Sequence, residues 1–406
     1  MPDVQEFKRI VCQEVDRLAG ELIAVSDHLF HHPELGHEEF ESVALLRETL
    51  ARHGIPSEAG VAGLPTAFQA DLVGLAPRPR IAILGEYDAL PEVGHGCGHN
   101  IIGTSAVGAA IALRAVIADL PGSAVLFGTP CEESTAEGAG GKIPMVEQGL
   151  FDEVDASIMM HPNTQNIMSV SPSLAARGFD MEFFGRPAHA AAEPHKGINA
   201  LDAVIQTFNS VNALRQHLKP DVRIHGVITY GGGAVNVVPA YATCRFRVRS
   251  MSAGYRDEVV DKVLRAAEAA AQATGATFKY KEYAHPYDNF LPNQALNDVF
   301  KANLEALGVP MEEKPREEGR GSTDYGSVSQ RMPASCAALA IAGPGVRGHS
   351  SEFAEATTTE VGHQALLNAA KSMAMAVVDL IADPALLDAA KAEWAKAMAA
   401  FGEMGG

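Results

Sequence analysis

Strand-length apolar segments alternate with a helix-length segment between residues 80 and 162. The segments RIAILGEYDAL (80–90), AVLFGTPCEE (124–133) and ASIMMHP (156–162) are short and apolar, and a longer segment with helical character begins near residue 101 and extends to about 120. This alternation is typical of α/β proteins, whose strands lie mainly parallel in one sheet. The sequence therefore predicts an α/β fold for this part of the chain.

Polar side chains stand where these apolar segments end. Asp88, Glu132, Glu133 and His161 each lie at the boundary between an apolar run and a polar loop. In open α/β sheets, ligands bind in the crevice outside the carboxyl ends of the strands. We therefore expect these four side chains to lie along one edge of the sheet.

A change of pattern near residue 176 divides the chain. Its 406 residues exceed what one core normally holds, so two domains are expected. Between 176 and 289 strand and helix candidates follow an α+β pattern, and after 290 a helix candidate and the strand candidate AALAIAG (337–343) resume. The prediction is a discontinuous domain of residues 1–175 and 290–406, with an α+β domain of residues 176–289 inserted into it.

Charge and cysteine content limit the partners of the chain. With 32 Lys and Arg against 50 Asp and Glu, the formal charge is −18, which repels nucleic acid and anionic membrane surfaces. Five scattered cysteines form no CxxC pairs, and the N-terminal segment has the pattern of a charged amphipathic helix without a secretory signal. We expect a cytoplasmic protein with neither a nucleic-acid nor a membrane partner.

Five potential metal ligands follow one another along the chain. They are a thiol, three imidazoles and a carboxylate: Cys97, His99, Glu133, His161 and His349. This mixture suits borderline divalent ions such as zinc, manganese or cobalt, and a pair of such ions makes hydroxide from water near neutral pH. Hydrolysis by two metal ions is the activity that the pattern favours.

Two further carboxylates accompany these ligands. Glu132 is adjacent to Glu133, so that when Glu133 turns toward a metal its neighbour remains available as a general base. Asp88, in GEYDALP, is placed to hold an imidazole ligand in its metal-binding tautomer, and the alternative is a helix or turn cap.

Several residues farther along the chain are candidates for substrate contacts. His189 could stabilise an oxyanion or be a plain surface histidine. The arginines that alternate in CRFRVRS (244–250) share one strand face, where Arg249 could grip a carboxylate or simply be solvated. Thr323 and Asp324, in a glycine-bounded loop, either line the site or make the turn.

Eight motifs occur in order along the chain: GEYDALP, HGCGHN, PCEES, MMHP, GRPAHA, GGGAVNVVP, GSTDYG and GHSSEFAEA. This series resembles the M20 metallopeptidase and amidohydrolase family, and more closely its branch of aminoacylase-1-like-2 and aminobenzoyl-glutamate hydrolases. The resemblance implies a mixed-sheet, zinc-exopeptidase-like catalytic domain with an inserted α+β domain that serves as lid and dimerisation surface. It also implies that the five ligands bind two metals with Cys97 as the bridge, and that Glu132 is the general base.

The same resemblance assigns roles outside the ligand set. It implies that His189 reaches the substrate carbonyl, often from the neighbouring protomer, that Asn236 lies near the same oxygen, and that Arg249 grips a substrate carboxylate. A residue donated from one protomer to the other implies a homodimer.

These observations predict a metal-dependent amidohydrolase that cleaves a small N-acyl amino acid, dipeptide or aminobenzoyl-glutamate type of substrate. Two alternatives remain open from the sequence. One is hydrolytic deamination of an aromatic amine at the same site. The other is a non-catalytic metal-binding or ligand-binding protein on the same scaffold, against which the spare Glu132 argues, because a binder needs no base.

Overall fold

A computed structural model describes residues 4–133, 137–313 and 320–404. Its helices are α1 Val4–His31, α2 Phe40–Arg52, α3 His99–Leu113, α4 Lys142–Glu147, α5 Ala200–Leu214, α6 Ala253–Thr274, α7 Gln294–Ala306, α8 Tyr325–Ser329, α9 Ser351–Ala356, α10 Glu360–Ala382 and α11 Pro384–Met404. Its strands are β1 Glu58–Ala59, β2 Phe68–Val73, β3 Arg80–Glu86, β4 Ser123–Thr129, β5 Ala156–Asn163, β6 Ile167–Met168, β7 Ala175–Phe184, β8 Arg223–Tyr230, β9 Tyr241–Ser250, β10 Thr277–Glu282 and β11 Ala334–Ala340.

The described residues form two compact units. The first comprises those within Met1–Pro172, Phe290–Arg320 and Asp324–Met404, and the second comprises Ser173–Asn289 together with Gly321–Thr323. The chain therefore leaves the first unit near residue 172 and returns to it near residue 290. The sequence predicts these two boundaries at 175 and 290.

A seven-stranded mixed sheet forms the centre of the first unit, in the order β1-β2-β4-β3-β5-β11-β6. The four strands β4, β3, β5 and β11 are mutually parallel, whereas β1, β2 and β6 pair antiparallel at the edges. Every residue of β4 and all but the first of β3 are buried, as expected of parallel strands that are covered on both faces. The predicted α/β class and the mixed sheet are confirmed.

Three long helices pack closely in the first unit. The helix α3 is buried along its whole length and packs against α1 and α10. A Cβ atom at Gly108 of α3 would lie 2.8 Å from Cδ1 of Leu22 and 3.3 Å from Cβ of Ala370, so the approach of α1 and α10 requires glycine there.

One described helix, α10, is long and apolar enough to cross a membrane by length and composition. However, 72% of its most apolar window is buried inside the protein. Since α10 packs against α1, α3 and α7, it has the character of a core helix.

The second unit is built on a four-stranded antiparallel sheet in the order β10-β7-β9-β8. Period-two alternation sets its faces. In β9, Cys244, Phe246 and Val248 belong to the core that α5 and α6 cover, and the arginines between them lie on the opposite face. The helices begin at side-chain caps, Asn199 for α5 and Ser252 for α6.

Candidate metal centre

The ends of the parallel strands bring the five predicted ligands to one edge of the first unit's sheet. Glu133 follows β4, His161 lies near the end of β5, and His349 lies in the loop after β11. Because β3, β4, β5 and β11 are parallel, their carboxyl ends meet at the same edge. Cys97 and His99 reach this edge from the loop that starts α3.

A glycine makes that loop possible. Gly98 caps α3 with φ 77, in the left-handed region that favours glycine. A Cβ atom there would lie 2.6 Å from Cγ of Pro162, the residue after His161. The close approach places Cys97 and His99 against the end of β5.

The ligand atoms form two groups that share Cys97. One group is Cys97, His99 and His161, and the other is Cys97, Glu133 and His349; within each group all atoms lie within 4.8 Å of one another. Cys97 Sγ is 3.6 Å from His161 Nε2 and 3.5 Å from His349 Nε2, and His349 Nε2 is 3.4 Å from Glu133 Oε1. The thiol therefore lies where a bridge between two ions would stand.

One carboxylate orders two of these ligands. Asp88 Oδ1 accepts a hydrogen bond of 2.9 Å from His99 Nδ1, and its Oδ2 accepts one of 2.9 Å from the backbone N–H of Glu133. The proton on Nδ1 leaves the lone pair of His99 on Nε2. His161 is in the same state, since its Nδ1 donates to the Pro162 carbonyl at 2.8 Å. Both imidazoles therefore present the tautomer that binds a metal.

Unsatisfied buried atoms indicate that a cation belongs here. Among the described residues, His99 Nε2 and Glu133 Oε1 are buried without a hydrogen-bond partner. Such groups cost free energy unless a partner compensates for them. Burial also raises the pKa of the Cys97 thiol well above its usual range, so a thiolate there requires a positive charge beside it. The residues present fit a site for divalent metal ions.

Glu132 lies beside the ligands. Its carboxylate is close to those of Glu86 and Asp324, and it also lies within 4.8 Å of ligand atoms of His99 and Glu133. Burial raises the pKa of Glu132, and the negative charges of Glu86 and Glu133 raise it further. A carboxylate with a raised pKa is a stronger base than an ordinary carboxylate, which suits it to take a proton from water.

Glu39 stabilises the turn that carries Glu132 and Glu133. Cys131, immediately before Glu132, has φ 53, which is uncommon for a residue with a side chain. The buried Glu39 accepts a hydrogen bond of 2.8 Å from the backbone N–H of Cys131 and one of 2.8 Å from Thr66. Sequence reasoning did not identify Glu39, because 92 residues separate it from Cys131.

A buried ion-pair cluster lies beside Glu132 and changes the interpretation of Asp324. Lys142 Nζ lies 2.5 Å from Glu86 Oε1 and 2.6 Å from Asp324 Oδ1, and the backbone N–H of Lys142 donates to Asp324 Oδ2 at 3.0 Å. All three side chains are almost fully buried. The prediction that Asp324 contacts substrate is corrected, because both of its carboxylate oxygens are engaged by Lys142 in the interior.

The remaining predicted residues lie in the second unit. His189 is exposed, and its Nδ1 accepts hydrogen bonds of 3.2 Å from the backbone N–H groups of Ala191 and Ala192, so its ring proton is on Nε2. The neighbouring Ala190 donates its backbone N–H to the carbonyl of the exposed Asn236 at 3.0 Å. The loops of His189 and Asn236 are therefore joined.

Arg249 and Thr323 also belong to this unit. Arg249 Nη1 donates to Ser322 Oγ at 3.0 Å, and Thr323 is the next residue, half-buried. Ser322 was not identified from the sequence, although it stands inside the same glycine-bounded loop as Thr323. That these residues bind substrate stays a prediction.

Comparison with known proteins shows the family. The model of peptidase family M20/M25/M40 matches residues 82–377. The chain is 34% identical to the Xaa-Arg dipeptidase of Mus musculus, over 97% of this chain and 93% of that protein. It is 30% identical to one of the subunits of the p-aminobenzoyl-glutamate hydrolase of Escherichia coli (strain K12), over 96% of this chain and 95% of that protein.

Solved structures share the fold. An aminobenzoyl-glutamate utilization protein from Klebsiella pneumoniae has a TM-score of 0.75 at 21% identity, with 90% of this chain and 97% of that chain covered. A dinuclear metal-binding peptidase of the M20 family from Bacillus subtilis has a TM-score of 0.67 at 21% identity, with 90% and 99% covered.

These matches confirm the family and the activity predicted from the sequence. The activity is metal-dependent hydrolysis of an amide, that is, of a carbon–nitrogen bond, and the relatives that match nearly the whole chain are hydrolases of such bonds. The alternative of a non-catalytic binding protein is thereby set aside. The chain belongs to peptidase family M20/M25/M40.

Proposed function

We propose that this chain hydrolyses the amide bond of a small substrate that carries a free carboxylate, such as a dipeptide, an N-acyl amino acid or aminobenzoyl-glutamate. The names of its relatives support this class, since they include an Xaa-Arg dipeptidase, a p-aminobenzoyl-glutamate hydrolase and an N-acetyl-L-cysteine deacetylase. The observation that carries the proposal is the pair of ligand groups sharing Cys97, with Glu132 beside them.

Two divalent ions, zinc, manganese or cobalt, are the proposed cofactors. The first would be held by Cys97, His99 and His161, and the second by Cys97, Glu133 and His349. When bound, such ions polarise a carbonyl oxygen and lower the pKa of water, which makes a nucleophile available near neutral pH.

Glu132 carries the proton in this proposal. It takes a proton from the attacking water as the new carbon–oxygen bond forms. It then delivers that proton to the amine nitrogen as the carbon–nitrogen bond breaks. Its raised pKa supports the first step, because a carboxylate whose pKa is raised binds a proton more strongly than an ordinary carboxylate.

His189 and Asn236 are proposed to stabilise the negative charge that develops on the carbonyl oxygen. The tautomer of His189 supports this role, because its Nε2 bears the proton and is a hydrogen-bond donor. Asn236 offers an amide donor on the loop that is joined to the His189 loop.

Arg249 is proposed to bind the carboxylate of the substrate, with Thr323 beside it. A guanidinium binds a carboxylate through two parallel hydrogen bonds. In a protein of net charge −18, a local positive charge of this kind is needed to attract an anionic substrate. Its bond to Ser322 supports this by fixing the orientation of the guanidinium.

We also propose that the protein is a homodimer in the cytoplasm. The edge strand β8 supports association, because it pairs only with β9 among the described strands and exposes the large side chains of Val227, Ile228 and Tyr230. Five free cysteines fit a reducing compartment.

A substrate panel tests the proposal. Protein stripped with a chelator is reloaded with zinc, manganese or cobalt and offered dipeptides, N-acyl amino acids and aminobenzoyl-glutamate, each also as its C-terminal amide, together with an aryl amine. We expect hydrolysis of the free acids, with KM higher for the matching amides. Release of ammonia from the aryl amine without amide hydrolysis would instead support a deaminase.

Arg249→Met separates carboxylate recognition from the chemistry. A hydrogen-bonded charged contact contributes about 1.5–3 kcal/mol, so we expect KM for the acids to rise about tenfold or more and KM for the amides to stay unchanged. Arg245→Met is the matched control, since Arg245 lies on the same face of β9 but pairs with Asp180. An equal rise in KM for acids and amides would contradict the proposed role.

A further inference from the structure

A second group of metal-ligating side chains lies where α1 ends and α2 begins. His28 is in the last turn of α1, His32 directly follows the helix, and Glu41 is in the first turn of α2. One ligand atom from each lies within 4.8 Å of the others. This group shares no residue with the two groups around Cys97 and contains no residue of the proposed mechanism.

The hydrogen bonds of this group direct its lone pairs. His32 Nδ1 lies 2.9 Å from the His28 carbonyl, which can only accept, so the ring proton of His32 is on Nδ1 and the lone pair is on Nε2. A ligating histidine characteristically donates its other ring nitrogen to a carbonyl in this way. The His28 and His32 rings are stacked, with centroids 4.1 Å apart, so the two imidazoles lie side by side at the end of α1.

Glu41 completes the group. Its Oε1 lies 3.1 Å from His28 Nε2, so a proton now occupies the position between a ring nitrogen and a carboxylate oxygen. A divalent ion can replace that proton, because metal binding releases the protons of its ligands. The backbone N–H of Glu41 donates to Glu34 Oε1 at 3.0 Å, which fixes the start of α2 beside the two imidazoles.

We propose that His28, His32 and Glu41 bind one further divalent ion of the zinc type, separate from the Cys97 centre. Two imidazoles and one carboxylate form a ligand set that zinc uses with a fourth position left to water, and copper(II) binds nitrogen-rich sets still more strongly. The partial exposure of the ligands, 39% for the His28 side chain and 57% for Glu41, leaves room for that water. The ion would connect the end of α1 to the start of α2.

Zinc titration of the full chain tests this site. Protein whose Cys97 centre is already loaded is titrated with zinc chloride in a calorimeter, and bound zinc per chain is counted after desalting. Loss of a residue that only orients a ligand costs about 10–100-fold in metal affinity, so losing a ligand should cost at least tenfold. We expect His28→Ala and Glu41→Gln to bind one zinc fewer per chain than the unaltered protein.

His31→Ala is the matched control, because His31 is an exposed histidine of the same helix that lies outside the group. It should keep the additional zinc. Zinc should also raise the midpoint of thermal unfolding more in the unaltered protein and in His31→Ala than in His28→Ala, since a ligand that binds only the folded state stabilises it. Equal zinc content and affinity in the unaltered protein and His28→Ala would overturn the proposal, as would an equal loss in His31→Ala.

Discussion

Asp88 orients two of the predicted metal ligands although it is not itself one of them. One of its oxygens binds the ring of His99 at the start of α3 and the other binds the backbone of Glu133 after β4, so Asp88 holds two ligands from different elements. The sequence predicts that Asp88 orients an imidazole, and the structure places its carboxylate on His99. The bond to the Glu133 backbone was not anticipated.

Glu39 gives a prediction at the scale of one carboxyl group. Burial raises the pKa of Glu39 from its ordinary 4.5 to about 7, with the charge of Asp88 adding to the effect. Folded Glu39 therefore keeps a proton between pH 4.5 and 7 that the unfolded chain has already released. The free energy of unfolding must fall as pH rises through this window, by on the order of 3 kcal/mol at 1.36 kcal/mol per pH unit.

Urea denaturation at pH 5 and pH 7.5, with a chelator present, measures this effect. The free energy of unfolding of the unaltered protein should fall from pH 5 to pH 7.5. That of Glu39→Gln should fall less, because the neutral amide does not titrate. Glu38→Gln is the control, since Glu38 is exposed, and it should follow the unaltered protein. A parallel pH dependence of all three proteins would show that Glu39 does not titrate in this window.

Lys142 gives a second prediction at this scale. Burial alone would lower the pKa of Lys142, but the carboxylates of Asp324 and Glu86 raise it above its ordinary range. Removing one partner of a buried ion pair costs about 3–5 kcal/mol, because the other charge remains buried and uncompensated. We expect Lys142→Met to lose about that much free energy of unfolding.

The same substitution at an exposed pair provides the comparison. Lys196→Met removes the partner of Glu193 at the surface, where an ion pair contributes about 1 kcal/mol or less. Equal losses from the two substitutions in chemical denaturation would contradict the account of the buried cluster.

At the scale of elements, periodic segments were predictable and their ends were less so. The segment CRFRVRS lies within β9, because its alternation of apolar residues and arginines indicates a strand and fixes the two faces of that strand. The prediction that the helix near residue 101 extends to about 120 was wrong. It ends at Leu113, after which Arg114 turns to the surface and donates to the His53 carbonyl.

The last parallel strand, β11, was predicted three residues too late in the chain. Its predicted range was 337–343, whereas β11 is Ala334–Ala340. Its first residues are Ala334, Ser335 and Cys336, small side chains that carry little strand signal and are fixed by parallel pairing with β5. The strands β1 and β6 have two residues each and exist only through their partners, so no local pattern could reveal them.

In the site, as in the strands, local patterns were predictable from the sequence and long-range contacts were not. The types and order of the five ligands were visible because thiol, imidazole and carboxylate groups stood at the ends of apolar segments. The buried ion pairs beside the site could not be predicted from the sequence. Lys142 and Asp324 are 182 residues apart, and a lysine in a glycine-rich segment carries no signal of a buried ion pair.

At the scale of the whole molecule, the proposed homodimer predicts complementation. Glu132 belongs to the first unit and His189 to the second, and we propose that His189 acts in the site of the neighbouring protomer. Mixed dimers of inactive Glu132→Ala and His189→Ala chains would contain one site with both groups intact. We expect mixing, after reversible dissociation, to restore up to about a quarter of the turnover, since half of the chains form mixed dimers and each has one intact site of two.

The control for this experiment is each variant taken through the same dissociation alone, which should remain inactive. Restoration of activity supports action across the dimer. A mixture that is as inactive as its components would contradict it and indicate that His189 acts within one chain.

The central claim is that five side chains hold the metals while the neighbouring Glu132 moves the proton. Metal content and turnover of Glu132→Gln, measured on the same preparation and compared with His99→Ala, test it most directly. We expect Glu132→Gln to keep the metal content of the unaltered protein and to lose at least about 10²-fold in kcat, whereas His99→Ala should lose metal as well. Full turnover in Glu132→Gln would show that Glu132 does not transfer the proton.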